Sequence, residues 1–365
     1  MAGRVIVGLS GGVDSAVAAL LLKQEEYEVL GVFMKNWEEE ADGVCTAAAD
    51  YDAMRACADH LGIPYYTVNF AKEYKERVFS YFLDEHSKGR TPNPDILCNT
   101  EIKFSAFLEF CSAMGADYIA TGHYAQLYKS NACLKLLRGA DPKKDQSYFL
   151  AGLKQSQLKN VLFPVGGLTK AQVRRFAEDF GLPNAKRKDS TGICFIGERD
   201  FKQFLMQFLP KSPGDIVDIN GRRVGRHDGL MYYTIGQRKG LGIGGTKGGT
   251  GESWFVIGKA LKKNLLIVQQ GEQAELYSTG LSSTCVNWFN PPKAKRFSCT
   301  AKFRYRQDDQ QVEVELKNSG AYVHFCKPQR AVTCGQWVVF YSGEECLGGG
   351  PIDAVYPQRD FDLIV

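Results

Sequence analysis

The sequence predicts an α/β N-terminal unit built on a parallel, Rossmann-like sheet with a helical insertion, followed by a small central β domain and a last β unit. Three observations predict it. Short apolar runs alternate with stretches of helical spacing up to about residue 125, helical spacing alone fills about 140 to 210, and short alternating segments divided by glycines take over beyond Pro213. The boundaries fall at 1–140, 141–212, 213–278 and 279–365.

In chain order, Val5 to Leu9 reads as a buried strand and Ala16 to Gln24 as a helix. The turn between them is Gly8-Leu9-Ser10-Gly11-Gly12-Val13-Asp14-Ser15. Adjacent glycines let the main chain approach an anion, Ser10 and Ser15 add hydroxyls, and the helix directs its first N–H groups at the same spot. A bare Gly-Gly is equally an ordinary strand-to-helix turn, and G-x-x-x-x-G-K-[ST] occurs nowhere in the chain. Val29 to Met34 follows as a strand, Asp50 to Leu61 as a helix stopped by Gly62 and Pro64, Tyr65 to Asn69 as a strand and Lys72 to His86 as a helix. Glu101 to Met114 is helical and Asp117 to Ala120 a short strand. Such alternation places ligands at the carboxyl ends of parallel strands, where the glycine turn lies.

Beyond residue 140 the strand signals stop. Ser147 to Leu153, Lys170 to Phe180 and Asp200 to Leu209 have helical spacing, broken at Leu162-Phe163-Pro164 and Gly181-Leu182-Pro183. The β segments resume at Asp215 to Ile219, Trp254 to Lys259 and Leu265 to Gln269, and the last unit runs from about Thr279. Gly236 to Gly251 holds eight glycines and reads either as a linker or as a lid.

A chain of 365 residues can bury two or three cores, and 44% hydrophobic with 24% charged residues is ordinary soluble composition. A net charge of +4 permits nucleic-acid binding without requiring it. No apolar run reaches the ~18 residues of a membrane span, and Met1-Ala2-Gly3-Arg4 leads straight into a strand, which points to a cytoplasmic protein. Eleven cysteines, an odd number without any C-x-x-C, argue for mostly reduced thiols and against a structural zinc.

Two cysteines stand in settings that favour chemistry. In Thr91-Pro92-Asn93-Pro94-Asp95-Ile96-Leu97-Cys98-Asn99 the prolines fix the backbone, and Asp95 and Cys98 share one face of a helix's first turn. The helix dipole would increase the thiolate fraction of Cys98, with Asp95 as an acid or base beside it; the alternative is an Asp N-cap and a buried cysteine. Cys194 follows Lys186-Arg187-Lys188-Asp189 through Ser190-Thr191-Gly192, an electropositive approach that stabilises a thiolate or persulfide, unless the basic run is a solvated face and Cys194 a core residue. Lys293 to Arg306 holds six basic residues and no acidic one. As a strand it would turn Phe297, Cys299, Ala301, Phe303 and Tyr305 inward and Arg296, Lys302, Arg304 and Arg306 outward, a face suited to a phosphate backbone or simply to water.

The string Ser-Gly-Gly-Val-Asp-Ser resembles the PP-loop of the ATP pyrophosphatases, which cut ATP between the α and β phosphates. The whole chain resembles the tRNA-specific 2-thiouridylases. The likeness runs through Met34-Lys35-Asn36-Trp37, Thr91 to Lys103, Thr121-Gly122-His123-Tyr124, Lys144 to Phe149, Asp189 to Gly197, Gly236 to Gly240 and Cys346 to Gly350. It implies that Gly8, Leu9, Ser10, Gly11, Gly12, Val13, Asp14, Ser15, Met34 and Gly122 bind ATP, with Mg²⁺ on the phosphates. It implies that Asn93, Pro94 and Asp95 meet the target base, that Cys98 is the nucleophile and that Cys194 carries the persulfide, the two closing into a transient disulfide. Contacts to tRNA are implied at His123, Lys144, Asp145, Gln146, Arg304, Tyr305 and Gln336, in part on a C-terminal β-barrel. The implied partners are tRNA and a persulfide donor, and no membrane. Another PP-loop amide-forming ligase, or a tRNA-binding sulfur carrier without ATP chemistry, would share parts of this pattern.

Overall fold

The computed structural model describes residues 2–38, 46–130, 133–189, 195–197, 199–243 and 251–358. Cys194 and residues 244–250 of the glycine-rich stretch lie outside them. The first unit is a five-stranded parallel sheet of β1 (Arg4–Gly8), β2 (Glu28–Lys35), β3 (Tyr65–Asn69), β4 (Tyr118–Ala120) and, after a hairpin of β5 (Ala125–Ser130) and β6 (Cys133–Arg138), β7 (Val161–Leu162). Its order is β3-β2-β1-β4-β7, so the chain winds one way from β1 to β3 and then crosses to the other side of β1. The crevice at the carboxyl ends of β1 and β4 is therefore the switch point at which such sheets bind ligands. Val5, Ile6 and Val7 are wholly buried because helices cover both faces of the sheet.

The strand signal was expected to stop near residue 140, and β7 shows that it does not. Two residues are too short to register as a periodic strand, yet Val161 and Leu162 pair in parallel with Ile119 and Ala120 and close the sheet's edge. The hairpin β5–β6 also went unread. The helices after residue 140 are present at Ser147–Leu150, Gln155–Leu158, Lys170–Asp179 and Phe201–Met206.

The central unit is a four-stranded sheet, β10-β11-β8-β9, made of β8 (Gly214–Val217), β9 (Arg223–His227), β10 (Trp254–Ala260) and β11 (Leu265–Gln270). The last unit contains β12 (Tyr277–Ser283), β13 (Asn287–Trp288), β14 (Arg296–Lys302), β15 (Gln310–Lys317), β16 (Gly320–Arg330), β17 (Trp337–Ser342), β18 (Glu345–Pro351) and β19 (Ala354–Pro357). They share one apolar core that includes Leu281, Cys299, Ala301, Phe303, Val323, Val338 and Phe340. The hairpin of the first unit joins this sheet: β6 pairs antiparallel with β18 through Leu136 and Cys346. Beneath both lies a core in which Leu136, Tyr341 and Cys346 meet Ile96, Cys98 and Phe104.

Candidate active site

The glycine turn follows β1. Gly11 has φ +77, and a Cβ there would stand 2.2 Å from the Asp50 carbonyl, so only glycine fits. Ser15 Oγ donates to the Gly12 carbonyl (3.1 Å) and accepts from Ser10 N (3.2 Å), which folds the turn back on the first turn of the helix Val13–Gln24. Met34, at the end of β2, packs its Cε against Gly8, and Gly122, just past β4, lies so close that a Cβ would come 2.7 Å from Ser15 N. The residues expected to hold ATP thus form one cradle of main-chain donors at the switch point.

A charge network that the sequence did not announce surrounds the cradle. Asp14 Oδ1 accepts from Tyr124 OH (2.7 Å) and from Lys170 Nζ (2.6 Å). Lys170 also reaches Asp189 (2.8 Å), which accepts in addition from Lys144 (2.6 Å) and Arg174 (2.8 Å). Burial pushes the Asp189 carboxyl up, but the hydrogen bonds from Lys144 and Lys170 outweigh it and hold the group down at about 2. Asn184 and Arg187 both donate to the Gly11 carbonyl, at 3.0 and 3.1 Å, and Arg187 pairs with Asp50 at 2.5 Å. At Arg187, then, the basic run before Cys194 is docked on the glycine turn. The only early hint was that run itself; the partners stand far away in sequence.

The helix carrying Asp95 and Cys98 starts earlier than the spacing suggested. Asn93 is its N-cap, with Oδ1 accepting from Asp95 N at 3.1 Å, and Pro94 occupies the first position with its φ preset. The cap is therefore Asn93, and Cys98 is the fifth helical residue, one turn in. From Cys98 to Ala106 the helix widens into a π segment with a break at Phe104 (φ −115, ψ 19), a feature that often marks functional sites. Cys98 is 3% exposed. Burial raises the Asp95 carboxyl above its usual range, opposed by the charge of Lys103. His123, packed between Phe104 and Phe163, is held well below its ordinary value by burial and by the same Lys103, and its Nδ1 lies 2.7 Å from Thr121 Oγ1. Lys103 thus acts on both Asp95 and His123.

The stretches expected to meet tRNA divide. Phe149 packs against Tyr305 with centroids 4.3 Å apart and the rings tilted by 42°, and beside them a cleft of about 280 Å³ is lined by residues that include Lys143, Asp145, Lys302, Tyr305 and Arg306. The loop around residue 144 and the turn around 305 are thereby brought together. Asp145, however, is buried and accepts from Gly139 N, Ser147 N and Ser147 Oγ, and Gln146 Oε1 accepts from Tyr124 N. β14 ends at Lys302, so Arg304 is no outward strand residue: its guanidinium donates to Ala331 O (2.7 Å) and approaches Ile235 O and Thr333 Oγ1. Desolvation of the guanidinium against these carbonyls, with the charge of Arg330, lowers its pKa although the residue as a whole is exposed. Lys302 and Arg296 are paired with Asp309 and Glu315, while Arg306 is exposed, with no ion pair among the described residues and no carbonyls to hold it as Arg304 has. Gln336 lies elsewhere and donates to the carbonyls of Thr91 and Pro92.

Fold and site define a nucleotide-binding α/β protein with two β units appended. Three family models match in chain order: a tRNA methyl transferase HUP domain over residues 3–198, a tRNA methyl transferase PRC-barrel domain over 202–270 and an aminomethyltransferase β-barrel domain over 278–352. The chain belongs to the tRNA-specific 2-thiouridylase family. It is 58% identical over 356 residues to tRNA-specific 2-thiouridylase MnmA 1 of Geobacillus kaustophilus, covering 96% of each chain. To MnmA 2 of the same organism it is 60% identical over 358 residues (97% of this chain, 95% of the relative), and to MnmA of Listeria innocua 58% over 359 residues (97% and 96%).

Proposed function

We propose that this chain replaces the 2-oxygen of the wobble uridine of tRNA with sulfur at the expense of ATP. The observation that carries the reading is the cradle of Gly8 to Ser15, closed by Gly122, at the switch point of a family α/β unit. A carbonyl oxygen is a poor leaving group, so the uridine oxygen attacks the α phosphate, pyrophosphate leaves into the cradle, and the oxygen becomes a good leaving group as AMP. First-turn amides and Lys170 stabilise the negative charge that develops on the departing pyrophosphate. Mg²⁺ accompanying ATP would neutralise the phosphates; the turn's one carboxylate, Asp14, has its Oδ1 already engaged by Tyr124 and Lys170.

The terminal sulfur of a persulfide on Cys194 attacks the activated carbon and AMP departs. Cys98 then attacks the Cys194 sulfur, the S–S bond to the transferred atom breaks, and that sulfur stays on the base as the thiocarbonyl. The Cys98–Cys194 disulfide left behind takes two electrons from external thiols. Asp95, with its raised pKa, handles the proton at the base. Asn93 and Pro94 shape the base pocket, and the wobble base must leave its stack to enter it. The cleft at Lys143, Tyr305 and Arg306 grips the RNA. Sulfur arrives from a cysteine desulfurase or relay protein. Among the described residues no helix is long and apolar enough to cross a membrane.

The test is incubation with labelled ATP, a persulfide source and tRNA, followed by mass spectrometry of the nucleosides. The expected result is AMP, pyrophosphate and 2-thiouridine in equal amounts. Absence of AMP and pyrophosphate would make the chain a binding or carrier protein, and AMP with an amidated product would make it an amide-forming ligase.

A further inference from the structure

Residues 88–93 carry the chain from the helix ending at Ser87 into the helix that bears Asp95 and Cys98, and both downstream β units hold this short loop. From the last unit, Gln336 Nε2 donates to Thr91 O (2.8 Å) and Pro92 O (3.4 Å), and the Cys334 carbonyl accepts from Thr91 N (2.9 Å). Gly335 has φ +90, and a Cβ on it would come 2.9 Å from the Thr91 backbone, so main chain closes directly on main chain. Arg90 donates to Glu85 (2.5 Å) within the first unit and to Ile352 O (3.1 Å) and Asp353 (3.0 Å) in the last. From the central unit, Thr234 Oγ1 lies 3.2 Å from Thr91 Oγ1 and Lys259 Nζ donates to Gly89 O at 2.7 Å.

Pro92 and Pro94 lack an N–H, and such a loop cannot satisfy its own carbonyls by turning on itself. The donors come instead from a side chain almost 250 residues downstream. We propose that Gln336 and Arg90 are positioning residues: they fix the entry of the Asp95–Cys98 helix, so the last unit sets the geometry of the reacting groups. Gln336, for which a tRNA contact was expected, has its amide directed at the loop. A helix that shifts by even a fraction of an ångström carries both Asp95 and Cys98 with it, because they lie on one rigid turn.

The kinetic part of the test rests on the proposed thiouridylase reading; the exchange part does not. In the full-length protein, Gln336→Met keeps side-chain length and removes both donors, while Arg90→Met and Arg90→Lys compare loss with partial retention. Deuterium uptake at the amides of Thr91, Asn93 and Asp95 to Cys98 is expected to quicken about ten-fold in Gln336→Met and Arg90→Met, the loss of one or two net hydrogen bonds. Single-turnover 2-thiouridine formation at saturating tRNA falls about ten-fold while the tRNA Kd stays within about two-fold, and Arg90→Lys recovers part of the rate. Unchanged uptake overturns the proposal. So does a weakened tRNA Kd with an unchanged rate at saturation, which would make Gln336 an RNA contact. If the unmodified protein forms no 2-thiouridine, the functional reading fails and the exchange measurement still decides the clamp.

Discussion

Replacing Gly122 by alanine probes the cradle with a single methyl. At its position a Cβ would lie 2.7 Å from Ser15 N, 2.8 Å from the Asp14 carbonyl carbon and 3.1 Å from Asp14 Cβ. Unstrained contacts to carbon begin near 3.5 Å, so the loop after β4 and the glycine turn must separate by roughly 0.7 Å. The backbone of Gly122 needs no positive φ, so the effect is steric alone. Overpacking of this size costs about 1–3 kcal/mol, which corresponds to about five- to 150-fold in affinity if the turn absorbs it. The moved group is a first-turn amide of the kind a phosphate uses, so the loss should fall on ATP. Titration calorimetry with an ATP analogue that resists α–β cleavage measures it, and filter binding of tRNA serves as the control that should not change. A Gly122→Ala protein that binds the analogue within about two-fold of the original, with the same melting temperature, would refute the close seating of this loop on the turn.

Cys98→Ser should still release AMP and pyrophosphate while 2-thiouridine disappears from the digested tRNA, because activation precedes sulfur transfer. Asp189 has a folded-state pKa near 2, below the ordinary 3.8, so its contribution to stability is present above pH 4 and is lost as pH falls toward 2. Denaturant titrations across that range should show the acid loss flattened in Asp189→Asn; an unchanged limb would remove Asp189 from the network. Lys143→Glu and Arg306→Glu should weaken tRNA binding and each lower the slope of log Kd against log salt by about one, whereas Arg304→Glu should chiefly lower the melting temperature, since its guanidinium serves the Ala331 carbonyl of its own unit and the Ile235 carbonyl of the central one. Equal salt slopes for all three would contradict the division of these cations.

The alternating pattern made β1 to β4 legible because each strand has several apolar residues and a helix between it and the next. β7 offered two residues, and Leu162-Phe163-Pro164 looked like a break. The hairpin β5–β6 was hidden for another reason: its outer partner, Glu345 and Cys346 in β18, lies about 200 residues away, and no local period encodes that pairing. The glycine turn and Asp95 with Cys98 could be located from local chemistry. The ties among Asp14, Lys170, Asp189 and Arg187 could not, since Lys170 stands 156 residues from Asp14 and its charge looks like any solvated lysine of an amphipathic helix. The basic strand misled in part because alternation was extended past Lys302, where the chain turns and Arg304 bends back onto backbone carbonyls.

The pairing of β6 with β18 changes what counts as a transferable part of this molecule. A cut placed near residue 278 separates the last β unit in sequence but leaves β6 with a raw edge and β18 paired at Cys346 on its β17 side alone. A graft of this unit onto another scaffold would have to carry residues 125–138 as well, and a ribosome building the chain from its N-terminus holds that edge unpaired until the final strands emerge. The smallest exchangeable piece is thus defined by hydrogen bonds across a sheet, and it consists of two stretches of chain.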